Sequence, residues 1–279
     1  MEPRIQYAQT ADGVSIAYYT LGDGMPLVQM PQMALGHLQM EWQIPEARRH
    51  LERMAEKRTL VRYDSRGFGL SDRDVTEFTV DALVRDLEAV ADRLGLDRFA
   101  LIASGGGAPV AIAYGVRHPE RLSHLVLWHG YARPPTDWLR TLEGLLALAE
   151  KDWDLAIGAF LQSGFGWSEG PLQQQFAALA REAATPQTFV SFYRQYMDWD
   201  VSDLLPLLTT PTLVAQRRQY RLVSVQATQK LAASIPHSRL VLLEGSSMWV
   251  DRDLNAAIDE FLGEGEWPQP QPSCRKAWP

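Results

Sequence analysis

Phe99-Ala100-Leu101-Ile102-Ala103-Ser104-Gly105-Gly106-Gly107-Ala108-Pro109-Val110-Ala111-Ile112-Ala113-Tyr114-Gly115 carries an unbroken apolar run into three glycines and then into a helix start. An apolar run without alternation is a strand buried on both faces, which places it in a parallel sheet. Five further runs of the same kind occur: Pro26–Met30, Thr59–Tyr63, His124–Trp128, Thr212–Gln216 and Arg239–Leu243. Helical spacing separates them, as in Val80–Leu94, where Leu83, Leu87, Val90, Ala91 and Leu94 share one face. Ahead of them, Arg4–Gln9 and Val14–Thr20 alternate around Ala11-Asp12-Gly13, a hairpin signal. Strand–helix alternation predicts a doubly wound α/β fold, whose ligands sit beyond the carboxyl ends of the strands.

Composition narrows the class. The chain has 279 residues, 46% apolar and 22% charged, with a formal net charge of −7. That length supports one large α/β domain, and the composition excludes disordered, collagen-like and coiled-coil classes. No window approaches the ~20 apolar residues of a membrane span. An acidic balance without a basic block argues against nucleic acid as a partner. Cys274 is the single cysteine, so no internal disulfide can form. With no signal-peptide core after Met1-Glu2-Pro3-Arg4, a cytoplasmic location is expected. No metal-ligand spacing appears among the six histidines, and no cofactor motif is found. Gly105–Gly107 is not a phosphate loop, because no Lys-Ser/Thr follows it.

One stretch breaks the alternation. Between Pro134 and Leu208 there are only helical patterns, among them Trp138–Glu150 and a helix opened by Thr185-Pro186 and carried on by Phe189, Phe192, Tyr193 and Tyr196. The expected organisation is a core of residues 1–133 and 206–265, a helical cap of residues 134–205, and a flexible Pro/Gln-rich tail of residues 266–279. Nine tryptophans stand out, and seven of them fall in the cap or in segments bordering a cleft between cap and core.

Three segments carry a family resemblance: Asp12-Gly13-Val14-Ser15-Ile16-Ala17-Tyr18, Arg62-Tyr63-Asp64-Ser65-Arg66-Gly67-Phe68-Gly69-Leu70-Ser71-Asp72, and Ala111-Ile112-Ala113-Tyr114-Gly115-Val116-Arg117-His118-Pro119-Glu120-Arg121. From the hairpin to Leu262 the chain resembles an α/β-hydrolase with a helical cap, closest to the hydrolase-like modules that bacteria keep alone or fuse to transcription regulators and adenylate cyclases. The resemblance implies a mostly parallel central sheet with helices on both faces. Family enzymes place a nucleophile at the tip of a tight strand-to-helix elbow. Counting forward from Phe99 and back from His118-Pro119 both put that tip at Gly105, with Ser104 one place early. The family's histidine follows the last strand; here Glu244-Gly245-Ser246-Ser247 leads to Met248. The family's acid follows Pro211-Thr212-Leu213-Val214 by a fixed count, which lands on Tyr220, and Leu127-Trp128-His129 offers no carboxylate at the alternative position. Glycine has no nucleophile and methionine shuttles no proton at neutral pH.

The expected site is therefore a degenerate triad of Gly105, Tyr220 and Met248 under a retained oxyanion-type hole, with donors from the amides of Gly106 and Met33 and a side-chain amide from Gln32. His129, ending a buried strand, is a candidate base, with Tyr220 and Gln32 as further candidate catalytic groups. Met30, Gln32, Met33, Gly105, Trp128, His129, Trp138, Trp167, Tyr193, Met197, Tyr220, Met248 and Trp249 are the candidate ligand-binding residues, a lining suited to a bulky hydrophobic molecule. Asp64 and Arg66 are read as organisers of loops. Two functions stand side by side: a non-hydrolytic cyclase, isomerase or lyase acting on a hydrophobic small molecule such as a secondary metabolite, and a ligand-binding pseudoenzyme or sensor. A minor alternative is a residual esterase using Ser104. The sequence leaves monomer and homodimer open.

Overall fold

A computed structural model describes residues 2–32, 36–165, 170–246 and 252–263. The hairpin forms first, with β1 (Gln6–Gln9) antiparallel to β2 (Ser15–Leu21) around Gly13 at φ 86°. The six apolar runs become β3 (Met25–Gln29), β4 (Arg58–Tyr63), β5 (Phe99–Ser104), β6 (Leu122–Trp128), β7 (Thr212–Arg217) and β8 (Ser238–Leu243). They join in one eight-stranded sheet of order β1-β2-β4-β3-β5-β6-β7-β8. Only the pairings of β2 with β1 and β4 are antiparallel; β3 through β8 run parallel. This is the doubly wound, mostly parallel architecture that the continuous apolar runs predict, and the one that the resemblance to α/β-hydrolases implies.

Helices cover both faces. On one lie α1 (Leu38–Gln43), α2 (Pro45–Met54) and α10 (Arg252–Gly263), whose Trp42, Leu51, Met54, Leu254 and Ile258 pack on Leu27, Ile102, Val126 and Leu213 of the sheet. On the other lie α3 (Val80–Arg93), α4 (Ala108–Arg117) and α9 (Val225–Ala233). Helix α3 starts where the Thr79 hydroxyl accepts from the Ala82 N–H, and it buries the apolar stripe seen in the sequence. Between β6 and β7 the chain inserts α5 (Thr136–Ala149), α6 (Trp153–Phe165), α7 (Gly170–Ala183) and α8 (Pro186–Tyr196), the last capped by Thr185 with proline in its first turn. Residues 266–279 lie outside the described residues. No described helix is long and apolar enough to cross a membrane.

The turn after β4 ties these layers together. The Arg66 guanidinium bonds Asp86 of α3 through Nε (2.8 Å) and takes both oxygens of Asp12 in the hairpin turn at 2.7 and 3.0 Å. Its backbone N–H donates to the other Asp86 oxygen at 3.0 Å. Arg66 and Asp86 are both fully buried. The cap is held at the same turn. The Gly69 N–H donates to Ala183 O, and Arg73 bridges Gly69 O and Glu182 O. Nearby, the Gln195 side chain of α8 accepts from the Phe78 N–H and donates to Thr76 O. Phe192 of α8 then inserts edge-on between Phe68 and Phe78, with ring centroids 5.2 and 5.6 Å away.

Removing one partner of a buried pair strands the other charge, at a cost of about 3–5 kcal/mol. Arg66→Ala is therefore expected to lower stability by about that much, through Asp86. The combination Arg66→Met with Asp86→Leu should recover at least half of the loss. Urea unfolding monitored by tryptophan fluorescence checks both.

Candidate functional site

The site is built from what the strand ends do. β5 remains extended through Ser104 (φ −114°, ψ 139°), and the chain then reverses at Gly105 with φ 50°. Gly105–Gly107 make one tight turn, and α4 follows directly. A left-handed backbone is strained for any residue with a side chain, by roughly 1–2 kcal/mol, and free for glycine. A β-carbon placed on Gly105 would meet nothing among the described residues within 4 Å. Position 105 thus lies at the open tip of a tight strand-to-helix turn, and the residue there has no side chain. Ser104 stays in register opposite Trp128 of β6, and its hydroxyl does not cap the turn. The one irregularity of β5 lies at its other end, between Phe99 and Ala100. The Gly106 amide lies in the first part of the turn ahead of α4, where no intrahelical acceptor precedes it.

The loop after β3 borders this turn. The Met30 N–H donates to Ile102 O of β5, and the Met30 side chain is buried in the main core. Gln32 is half-buried. Met33 lies outside the described residues. The far side of the loop is anchored by Asp64, whose Oδ2 accepts from the Leu38 and Leu70 N–H groups at 3.2 and 2.9 Å. Its Oδ1 has no partner among the described residues and would lie 3.2 Å from a β-carbon on Gly36. Gly69 is obligatory here. At φ 55° its β-carbon would fall 2.2 Å from Asp64 Oδ2. Burial pushes the Asp64 carboxyl up to about 7, against the pull of those two amides. His37 caps α1 by accepting the Met40 N–H on Nδ1, and burial holds its pKa down.

On the opposite side, His129 follows β6 at φ 51°, the one non-glycine left-handed residue among those described. Its N–H donates to Ala215 O of β7 at 3.0 Å, and the residue is 2% exposed. The imidazole stacks on Tyr220 at 3.7 Å between centroids and 26° between planes, with the Trp128 ring at 3.8 Å. Two of the three candidate catalytic groups of the sequence, His129 and Tyr220, therefore meet. Burial raises the Tyr220 phenol far above its ordinary range, so it is a neutral hydroxyl at every physiological pH. Trp128 itself packs into the layer under α1, α2 and α10, with the Arg217 guanidinium carbon 5.8 Å from its ring centroid.

The loops after β7 and β8, which carry acid and histidine in family enzymes, are zipped together. Arg218 N–H donates to Leu243 O and Gln219 N–H to Gly245 O, while Gly245 N–H returns a bond to Gln219 Oε1 at 2.6 Å. Arg217 donates to Glu244 O. Met248 and Trp249, next along the chain, lie outside the described residues, as does Trp167 of the cap. Above the strand ends, Trp138, Tyr193 and Tyr196 are buried in an aromatic cluster with Phe160, Phe189 and Phe192, and Met197 is half-buried beside it. Tyr131, two residues past His129, shares a hydrogen bond with Tyr196. Sequence reasoning passed over Tyr131; its place just beyond the end of β6 was the available signal.

The raised carboxyl of Asp64 has a definite consequence. A folded pKa above the unfolded one contributes stability that is complete below about pH 4 and is lost as pH rises through about 7. Relative to Asp64→Asn, the native chain should lose on the order of 2–4 kcal/mol between pH 4 and pH 7.5. Paired urea titrations at several pH values measure this difference. A difference flat with pH would show Asp64 ionised in the folded state.

A family model described as alpha/beta hydrolase fold matches residues 34–250. A protein of Caulobacter sp. strain K31 named for carbamate hydrolysis, RutD, is 27% identical over 215 residues, covering 73% of this chain and 80% of that one. A proline iminopeptidase of Saccharolobus solfataricus is 27% identical over 234 residues, covering 72% and 75%. Among solved structures, a hydrolase from Pseudomonas aeruginosa PA01 superposes with a TM-score of 0.80 at 23% identity, over 93% of this chain and 98% of that one. That last likeness is one of fold.

Proposed function

The chain belongs to the α/β-hydrolase fold family, and from that membership we propose that it has kept the binding architecture of its hydrolytic relatives and given up hydrolysis. It holds a bulky hydrophobic small molecule over the elbow, with an acceptor oxygen of that molecule toward the amide of Gly106 and the side chain of Gln32. The observation that carries this is Gly105, left-handed and without a nucleophile at the elbow tip. By the count along the sequence, Tyr220 and Met248 take the places of the family's acid and histidine. In a subtilisin-type triad, losing the set costs on the order of 10⁶ in turnover, or ~8 kcal/mol of barrier. The chemistry compatible with the remaining groups is a cofactor-independent proton transfer in a cyclase, isomerase or lyase: His129 accepts a proton and the neutral Tyr220 phenol donates one. Met30, Trp138, Tyr193 and Met197 supply the apolar walls. The substrate class, rather than nucleic acid or a membrane, is the partner, and the cytoplasm is the compartment, for a monomer or homodimer.

A second use of the same site is binding without turnover, as a sensor. The stacking of His129 between Trp128 and Tyr220 favours it, because that imidazole is held by rings on two sides. Full product conversion of a molecule co-purified from the native host, abolished by His129→Ala, would decide for the enzyme. Unchanged recovery of the same molecule after prolonged incubation would decide for the sensor.

Both uses exclude ester hydrolysis. With p-nitrophenyl acetate and butyrate the native chain should show no turnover above buffer, and Gly105→Ser alone should show none, since no base follows. Gly105→Ser combined with Tyr220→Asp and Met248→His should gain at least about 100-fold over the single variant, as general-base assistance alone typically supplies. Native turnover abolished by Ser104→Ala would overturn the proposal.

A further inference from the structure

The last residues of β7 hold both rings of the His129–Tyr220 stack. Ala215 O accepts the His129 N–H at 3.0 Å. Gln216, next along the strand and fully buried, reaches the loop that carries Tyr220. Its Nε2 donates to Val223 O at 2.6 Å, and the Thr228 hydroxyl of α9 donates to its Oε1. Both directions are forced. A backbone carbonyl only accepts, so the amide nitrogen of Gln216 faces Val223 and its oxygen faces Thr228. Two oxygens in hydrogen-bond contact need a proton between them, and of these two only the Thr228 hydroxyl carries one. The buried amide is thus satisfied at its nitrogen and at its oxygen. The Ser224 hydroxyl secures the same end of the loop, capping α9 by accepting the Ala227 N–H at 3.1 Å. At the other end, Arg218 and Gln219 are bonded to the loop after β8. Residues 220–222 are left between the two clamps, with Tyr220 turned onto His129 at 3.7 Å between ring centroids.

We propose that Gln216 is a positioning residue: through Val223 and Thr228 it fixes the loop between β7 and α9 so that the Tyr220 phenol stays stacked on the His129 imidazole. This rests on the reading of His129 and Tyr220 as the working pair of the site, and it names what holds them together. A single ring stack is too weak to order residues 218–224 against their chain entropy. Gln216 supplies the missing constraint beside Ala215, so one strand end is the reference for both rings. A shift of Tyr220 by about 1 Å would cost a paired proton transfer on the order of 100-fold. An apolar side chain at position 216 would fill the same space without needing partners, so the contribution of the amide lies in where it puts the loop.

Histidine ring signals in a carbon–proton correlation spectrum of the ligand-free full chain test this, because an imidazole face-on to a phenol is shifted upfield by the ring current. His129→Asn, which tolerates the left-handed backbone, assigns the His129 signal by its absence. Tyr220→Leu gives the position of that signal without the stack, and the native signal should lie upfield of it. Gln216→Met, which nearly keeps the volume and loses both bonds, should move the signal most of the way to the Tyr220→Leu position. Thr228→Val should move it in the same direction by less, and Thr228→Ser, which keeps the hydroxyl, should leave it in place. Leu87→Ala, a core truncation in α3, should lower the melting temperature and leave the signal where it is. That contrast separates positioning from stability. A His129 signal unmoved in Gln216→Met alongside a lowered melting temperature overturns the proposal, and so does a native signal already at the Tyr220→Leu position. If Gln216→Met does not fold, Thr228→Val decides by the same signal. Because no ligand takes part, the result reports on Gln216 alone, and the small-molecule reading stands or fails by its own conversion assay.

Discussion

The Asp64–Ser71 turn is the constraint on which the other parts depend. A buried carboxyl at the end of β4 accepts two backbone amides, one from the start of α1 and one from Leu70 of its own turn. The Asp64 carbonyl accepts the Ser71 hydroxyl, which in turn accepts the Ala17 N–H of β2. Two residues on, Arg66 fixes the hairpin to α3, and Gly69 reaches up to α7. Hairpin, post-β3 loop, α3 and cap are thus referenced to a few residues at the active end of the sheet. Burial without full pairing makes Asp64 costly to keep ionised, so the same constraint also carries a pH dependence.

That scaffold explains why an elbow persists without its nucleophile. The left-handed φ at position 105 is imposed by the need to turn from a central strand straight into α4, and a hydrolase tolerates the resulting strain to expose its side chain. Here glycine removes the strain, and in the function proposed it removes the nucleophile as well. The neighbouring left-handed residue, His129, keeps a side chain and is held by stacking on Tyr220 and by a backbone bond to β7. The loops after β7 and β8 are likewise bonded to each other, through Arg218, Gln219 and Gly245.

The fold was largely legible because its signals are local. Six continuous apolar runs became six parallel strands, and Thr185 caps a helix where the Thr185-Pro186 pair places it. The meeting of His129 with Tyr220 was legible only as two separate candidates. Their stacking depends on how β6 and β7 align and on the left-handed backbone at His129, neither of which a residue pattern encodes. The Tyr131–Tyr196 bond joins residues 65 apart across the cap–core boundary, and no periodicity reports such a contact. The raised carboxyl of Asp64 was hidden for a similar reason: its environment is set by Leu38, Gly36 and Leu70, which approach from different segments.

The central claim is that the elbow of this family member is structurally intact and chemically empty. Exposure to a fluorophosphonate, which reacts with an activated serine and with little else, followed by intact-mass measurement, addresses that claim most directly. The mass should remain that of the unmodified chain under conditions that label a family esterase completely. A single stoichiometric adduct mapping to Ser104 would contradict it.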